Sequence, residues 1–131
     1  MFSDWRNAAI VGNSEKIAEL LADNYDVDSL DQYGQTALML SSVYGHDAVV
    51  GTLLSAGANT DITAKFGLSA LMLAVLNNRV DTARQLVDAG ADTQLLGTGA
   101  PGFAGKTAQD LAVVAGLDDL ANYIASSKTA S

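Results

Sequence analysis

The hydrophobic and polar positions of this chain repeat with a period of 33 residues. The segment QTALML at 35–40 returns as LSALML at 68–73, and LSAGANT at 54–60 returns as VDAGADT at 87–93. A fixed period of this length is typical of a stack of similar supersecondary units, none of which can bury its apolar face alone. A stack presents a long surface and no enclosed pocket, so the pattern favours binding of a partner over catalysis.

Each unit contains two short segments with helical spacing of apolar residues. In the second unit, Thr36 stands where a helix N-cap is expected and Gly45 stands where that helix should end. The next segment places Val49 and Leu53, four residues apart, on one face. We therefore predict an all-α fold in which every unit is a helix, a short turn, a second helix and a loop.

The repeat divides the chain into four units within a single domain over residues 1–125. Gly67 and Gly105 are 38 residues apart rather than 33, so the fourth unit carries five extra residues. We predict a disordered polar tail over 126–131. The predicted units cover about 3–30, 31–63, 64–95 and 96–124.

The second unit contains DQYGQTAL at 31–38, GHDAVV at 45–50 and LLSAGAN at 53–59. These segments resemble ankyrin repeats, and the likeness extends from about Trp5 to Ile124. It implies a solenoid of stacked helix-turn-helix units joined by short loops or hairpins.

The chain departs from the ankyrin pattern at the start of each first helix. Where the family usually has proline and histidine, the second unit has Ala37 and Met39, and the third has Ala70 and Met72. The hydroxyl–imidazole hydrogen bonds that usually tie neighbouring ankyrin units are therefore expected to be missing. The only histidine, His46, stands at a helix start, where we expect it to have a structural role.

Composition narrows the class of function. Of the 131 residues, 49% are apolar, which is enough for a continuous core, and no apolar run is long enough to span a membrane. The 15 acidic and 7 basic residues give a net charge of −8 without a basic face, so we expect no nucleic-acid partner. The absence of cysteine and of a visible secretory signal suits a cytoplasmic protein.

One segment offers an alternative function. Residues 100–107, APGFAGKT, fit a relaxed phosphate-binding loop, which would make the chain a nucleotide-binding or regulatory enzyme fragment. However, GKT at 105–107 falls in register with GQT at 34–36 and GLS at 67–69, and no buried strand precedes it. No cluster of residues suits a metal site or nucleophilic catalysis. We therefore expect a protein without enzymatic activity, cofactor or metal.

The resemblance also places a partner site. Partners of ankyrin stacks usually dock on a concave strip formed by the loop tips and the exposed side of the first helices. Transferred to this sequence, the predicted partner-binding residues are Gln32, Tyr33, Gln35, Val43, Tyr44, Lys65, Phe66, Leu68, Leu76, Asn77, Phe103 and Lys106. The equivalent positions of the outer units add Ile10, Val11, Val114 and Ala115.

The large residues of this strip are the expected anchors. We predict that Tyr33, Tyr44 and Phe66 form an exposed aromatic patch of the kind found at interface centres. The alternative is that the extended fourth loop covers Phe66 and packs Phe103 against it. In either case we expect a monomer that binds another protein, as an inhibitor or an adaptor.

Overall fold

The computed structural model describes residues 2–129 and forms eight α-helices within that range, with no regular strand. Each predicted unit contributes two helices, so the predicted all-α solenoid is confirmed. The helices are α1 Ser3–Val11, α2 Ser14–Ala22, α3 Ala37–Val43, α4 Asp47–Ser55, α5 Ala70–Leu76, α6 Val80–Asp88, α7 Ala108–Val114 and α8 Asp118–Thr129. A short 3-10 turn covers Lys65–Gly67.

The helices form two layers with the core between them. The first helices α1, α3, α5 and α7 pack side by side in one layer, and the second helices α2, α4, α6 and α8 pack in the other. Trp5 closes the core at the N-terminal end, fully buried against Tyr25 with ring centroids 4.8 Å apart. Ile124 is fully buried at the opposite end. The apolar stripes of neighbouring units thus merge into one continuous core.

The first helices of the last three units begin in the same way. Thr36, Ser69 and Thr107 have extended backbone, and each side-chain oxygen accepts a hydrogen bond from the amide three residues later. Such caps satisfy one of the amides left unpaired at a helix start. Met39 and Met72, which replace the histidine of the family pattern, are buried and fill the core.

Hydrogen bonds between neighbouring units replace the missing hydroxyl–imidazole pairs. Nε2 of His46 lies 2.8 Å from the carbonyl oxygen of Ile10. Because a carbonyl oxygen only accepts hydrogen bonds, Nε2 is the donor. In the next unit, Arg79 Nε donates to the Val43 carbonyl oxygen at 3.1 Å. Leu117 occupies this register in the fourth unit, and its side chain has no donor. His46 is therefore structural, as predicted.

The last helix is longer than the sequence suggested. Instead of a disordered tail from residue 126, α8 continues to Thr129, and Ser126 Oγ donates to the Asn122 carbonyl oxygen. No glycine or proline follows Ile124 to end the helix, which explains the extension. Residues 130 and 131 lie outside the described residues. Of the helices described, none is both long and apolar enough to cross a membrane.

Candidate partner-binding groove

Each of the last three units begins with a turn closed by one backbone hydrogen bond. We call these segments the second, third and fourth tip turns, after the units to which they belong. The bond runs from the amide of Asp31 to the carbonyl of Gln35, and from Ala64 to Leu68, at 2.9 Å in both cases. In the fourth unit it runs from Gly97 to Lys106, again at 2.9 Å. The period of 33 therefore continues through residue 97, and the five extra residues lie inside the fourth tip turn.

The second tip turn is organised by its own first residue. Asp31 Oδ1 accepts hydrogen bonds from the amides of Tyr33 and Gln35, both at 2.9 Å, and Asp31 Oδ2 pairs with Arg6 Nε at 3.1 Å. Burial raises the pKa of Asp31, but the bonds from Gln35, Arg6 and Tyr33 outweigh it and hold that pKa below its usual value. The ionised carboxylate thus fixes the backbone that carries Tyr33.

The third tip turn has no such carboxylate, because Ala64 occupies the register of Asp31. Phe66 adopts a left-handed conformation with φ 65° and ψ 20°, which is unfavourable for a bulky residue. Its carbonyl oxygen accepts a 2.7 Å hydrogen bond from the amide of Thr98 in the fourth tip turn. The Phe66 and Phe103 rings pack with centroids 5.6 Å apart. The extended fourth tip turn therefore holds the backbone and the ring of Phe66.

Close approach to Phe66 requires glycine in the fourth tip turn. A Cβ atom on Gly99 would lie 3.1 Å from Cδ1 of Phe66, and Gly99 itself has a positive φ of 77°. A Cβ atom on Gly97 would lie 2.2 Å from the carbonyl oxygen of Phe103, which no side chain could tolerate without a backbone shift. The predicted alternative, in which this loop packs Phe103 against Phe66, is the arrangement that the structure shows.

The second and third tip turns enclose an open groove of about 430 Å³ between them. Tyr33 is 64% exposed at one wall, and Phe66 is half-buried at the other. Lys65 Nζ lies 5.0 Å from the centroid of the Phe66 ring, a cation–π distance that places the ammonium group at the rim. The lining consists of Gln32, Tyr33, Gln35, Ala64, Lys65, Phe66, Leu68 and Leu73.

The structure brings six of the predicted residues into this groove, but two of them, Phe66 and Leu68, do not have the predicted exposure. Phe66 is half-buried because Phe103 packs against it. Leu68 is only 7% exposed and belongs to the core, because the closing bond of its tip turn draws it beneath the groove. The Leu68 side chain therefore lies at the bottom of the groove and does not protrude toward a partner. The sequence prediction missed Ala64 and Leu73 as lining residues. The available signal for Ala64 was that the third unit has alanine at the repeat position where the second unit has Asp31.

The other predicted residues lie outside the groove. Tyr44 is 47% exposed and stacks on His46 with centroids 6.1 Å apart. Leu76 is 40% exposed, and Asn77 beside it is also exposed. The three remaining predicted residues, all half-buried, are Val43, Phe103 and Lys106. We use the term tip face for the tip turns and first helices together, residues 31–43, 64–76 and 97–114.

A family model for ankyrin repeats (3 copies) matches residues 6–65 and 52–131, which together span nearly the whole chain. The chain belongs to the ankyrin repeat family. No curated protein matches it. Ankyrin repeats are generally protein–protein interaction modules and are typically without enzymatic activity, and their stacked units provide extended binding surfaces.

The segment that resembles a phosphate-binding loop is used internally by this ankyrin stack. The amide of Gly105 donates to Gly97, and that of Lys106 donates to Phe103, both at 3.0 Å. The Thr107 amide donates to the carboxylate of Asp110, which completes a capping box at α7. These amides already have acceptors, and a carboxylate occupies the helix start. Within residues 2–129, no cluster of three or more potential metal ligands is present.

Proposed function

We propose that this ankyrin stack is a non-enzymatic module that binds a folded protein on its tip face, with the groove between the second and third tip turns at the centre. By occupying a surface of its partner, it would serve as an inhibitor or an adaptor. We further propose that it acts as a monomer in the cytoplasm.

The proposal depends chiefly on the convergence of Tyr33, Phe66 and Lys65 around one groove. Interface centres are enriched in aromatic side chains, and Tyr33 offers a large apolar ring with a polar end. The groove is open and mostly apolar, which suits a side chain of a partner better than a small molecule that must be enclosed.

Both walls of the groove are set before any partner arrives. Asp31 fixes the turn that carries Tyr33, and the fourth tip turn fixes Phe66. Binding then requires little ordering of the backbone, and this lowers the entropic cost of association. The exposed residues Leu76, on the tip face, and Tyr44, directly after α3, would extend the contact along the stack.

Affinity capture with three forms of the full chain tests this proposal. The wild-type chain should capture a defined protein from a cell extract, Tyr33→Ala should lose it, and Leu30→Ala should retain it. Leu30 is the matched control because it is an exposed large apolar residue outside the groove. All three should unfold at similar urea concentrations. Equal capture by Tyr33→Ala and wild type would contradict binding at the groove.

A further inference from the structure

Acidic residues are unevenly distributed over the ankyrin stack. All of them except Asp4, Asp31 and Asp110 lie in the second helices or in the loops that follow those helices. The net charge of −8 therefore lies in the second helices and in the loops that follow them, outside the tip face. The tip face contains only two acids and two cations, so its charge differs from that of the molecule as a whole.

The two acids of the tip face are engaged within the chain. Asp31 accepts bonds from two tip-turn amides and from Arg6, and an Asp110 oxygen accepts from the Thr107 amide. The two cations, Lys65 and Lys106, form no ion pair with any residue of the range 2–129. Of the charged groups on the tip face, the two lysine ammonium groups are therefore the ones left to pair with a partner.

We infer that the groove takes an apolar side chain from a protein segment whose neighbouring residues are acidic. This inference rests on the proposed function and specifies the chemistry of the partner. The apolar side chain would fill the space between Tyr33 and Phe66, above Leu68 and Leu73. A carboxylate beside it would meet Lys65, whose ammonium group the Phe66 ring already holds at the rim. The side-chain amides of Gln32 and Gln35 provide hydrogen bonds for the segment's backbone.

The acids of the second helices do not oppose this arrangement. Packed helix layers lie about 8–10 Å apart, so these acids are roughly one layer behind the first helices. The Debye length at physiological ionic strength is about 8 Å, so repulsion from that layer is largely screened. Lys65 acts at contact distance, where screening is weak. Charge complementarity at the groove therefore favours an acidic segment over a basic one.

Selection from a displayed library of random 12-residue peptides, with the full-length chain as bait, tests the inference. Enriched peptides should share an apolar residue with Asp or Glu within two or three positions. Their affinity, measured by fluorescence anisotropy of labelled copies, should fall about tenfold with Lys65→Glu and weaken as NaCl rises. Lys16→Glu is the matched control, because Lys16 lies on α2 and pairs with Glu19.

The outcomes separate this inference from the proposed function. Enriched peptides that are neutral or basic, are lost with Tyr33→Ala and are unaffected by Lys65→Glu would overturn the acidic segment but leave groove binding intact. Peptides that bind Tyr33→Ala as well as wild type would overturn both. If no peptide is enriched, the inferred segment is wrong. A dimer seen by sedimentation and lost with Lys65→Glu would also overturn it, because a second copy would then be the occupant.

Discussion

The second and third tip turns occupy the same position in the repeat, and each is closed by an equivalent backbone hydrogen bond. Different contacts stabilise the conformations of the two turns. Asp31 organises the second turn locally, through two amides and Arg6. The third turn has Ala64 instead, and Phe66 depends on Thr98 and Phe103 of the following unit. One wall of the groove is thus encoded within its own unit, whereas the other is supplied by an insertion more than 30 residues later.

This difference shows how a repeat can vary its surface without changing its fold. Loss of the organising carboxylate at position 64 leaves the helices α5 and α6 in place, because their packing depends on the core. It frees the turn to adopt a conformation that only a neighbour can hold. The insertion inside the fourth tip turn provides that neighbour.

Asp31→Ala gives the second tip turn the residue of the third and should have the largest effect. Three charge-assisted hydrogen bonds are lost, and no neighbouring loop replaces them, so the free energy of unfolding should fall by about 2 kcal/mol. Urea titration measures the change. Asp23→Ala removes an exposed acid whose carboxylate has no hydrogen bond or ion pair with any residue of the range 2–129, and it should leave stability within about 0.5 kcal/mol of wild type. Equal effects of the two variants would show that Asp31 does not organise the turn.

The contribution of Asp31 should also depend on pH in one direction. Its pKa is lowered on folding, so the carboxylate stabilises the native state above its unfolded pKa of about 4. This stability is lost as the pH falls from that value through the lower native pKa. The gap in unfolding free energy between wild type and Asp31→Ala should be constant from pH 7 to 5 and shrink toward pH 2.5. A gap that widens on acidification would contradict this assignment.

Gly97→Ala should disturb the third tip turn while sparing the second. The new Cβ atom would collide with the Phe103 carbonyl oxygen, and relief of that overlap should cost about 2 kcal/mol. Hydrogen exchange should accelerate at the Thr98 amide, which bonds Phe66, but not at the Tyr33 amide. Gly102→Ala is the matched control, because a Cβ atom there meets nothing within 4 Å. Faster exchange at both tip turns would contradict their independence.

The difference in stability between the glycine variant and the alanine variant should have opposite signs at positions 33 and 66. Phe66 has a left-handed backbone, so Phe66→Gly should be more stable than Phe66→Ala by about 1 kcal/mol. Tyr33 has no positive φ, so Tyr33→Gly should be less stable than Tyr33→Ala by about 0.5–1 kcal/mol. Thermal or urea unfolding of the four variants measures both differences. If the difference had the same sign at both positions, it would contradict a left-handed backbone at Phe66 alone.

Much of the fold followed from the sequence because its signals are local and repeated. The period placed the helix pairs, and Thr36, Ser69 and Thr107 marked three helix starts by residue type. Trp5, which is buried, aligns in the repeat with the buried Leu38 and Leu71. The end of α8 was placed too early, because polar composition was taken for disorder although no residue there breaks a helix.

The candidate site was predictable only in part. Register correctly brought Tyr33, Lys65 and Phe66 to neighbouring tip turns, which form the groove. It did not reveal that Leu68 is drawn into the core or that Ala64 opens the groove. These facts depend on the backbone of a turn, and the turn depends on contacts with another unit. Whether the groove binds a partner stays a prediction.

By itself, the sequence predicted an all-α stack of repeated helix pairs, because apolar spacing and helix caps act within a few residues. Its resemblance to ankyrin repeats placed the loop tips. The sequence also located the five extra residues near the fourth tip. Only the tertiary structure decided that this insertion holds Phe66 in a left-handed conformation and completes the groove. The reason is that the Thr98–Phe66 hydrogen bond and the Phe66–Phe103 ring contact join residues more than 30 positions apart, and no local sequence pattern predicts such contacts.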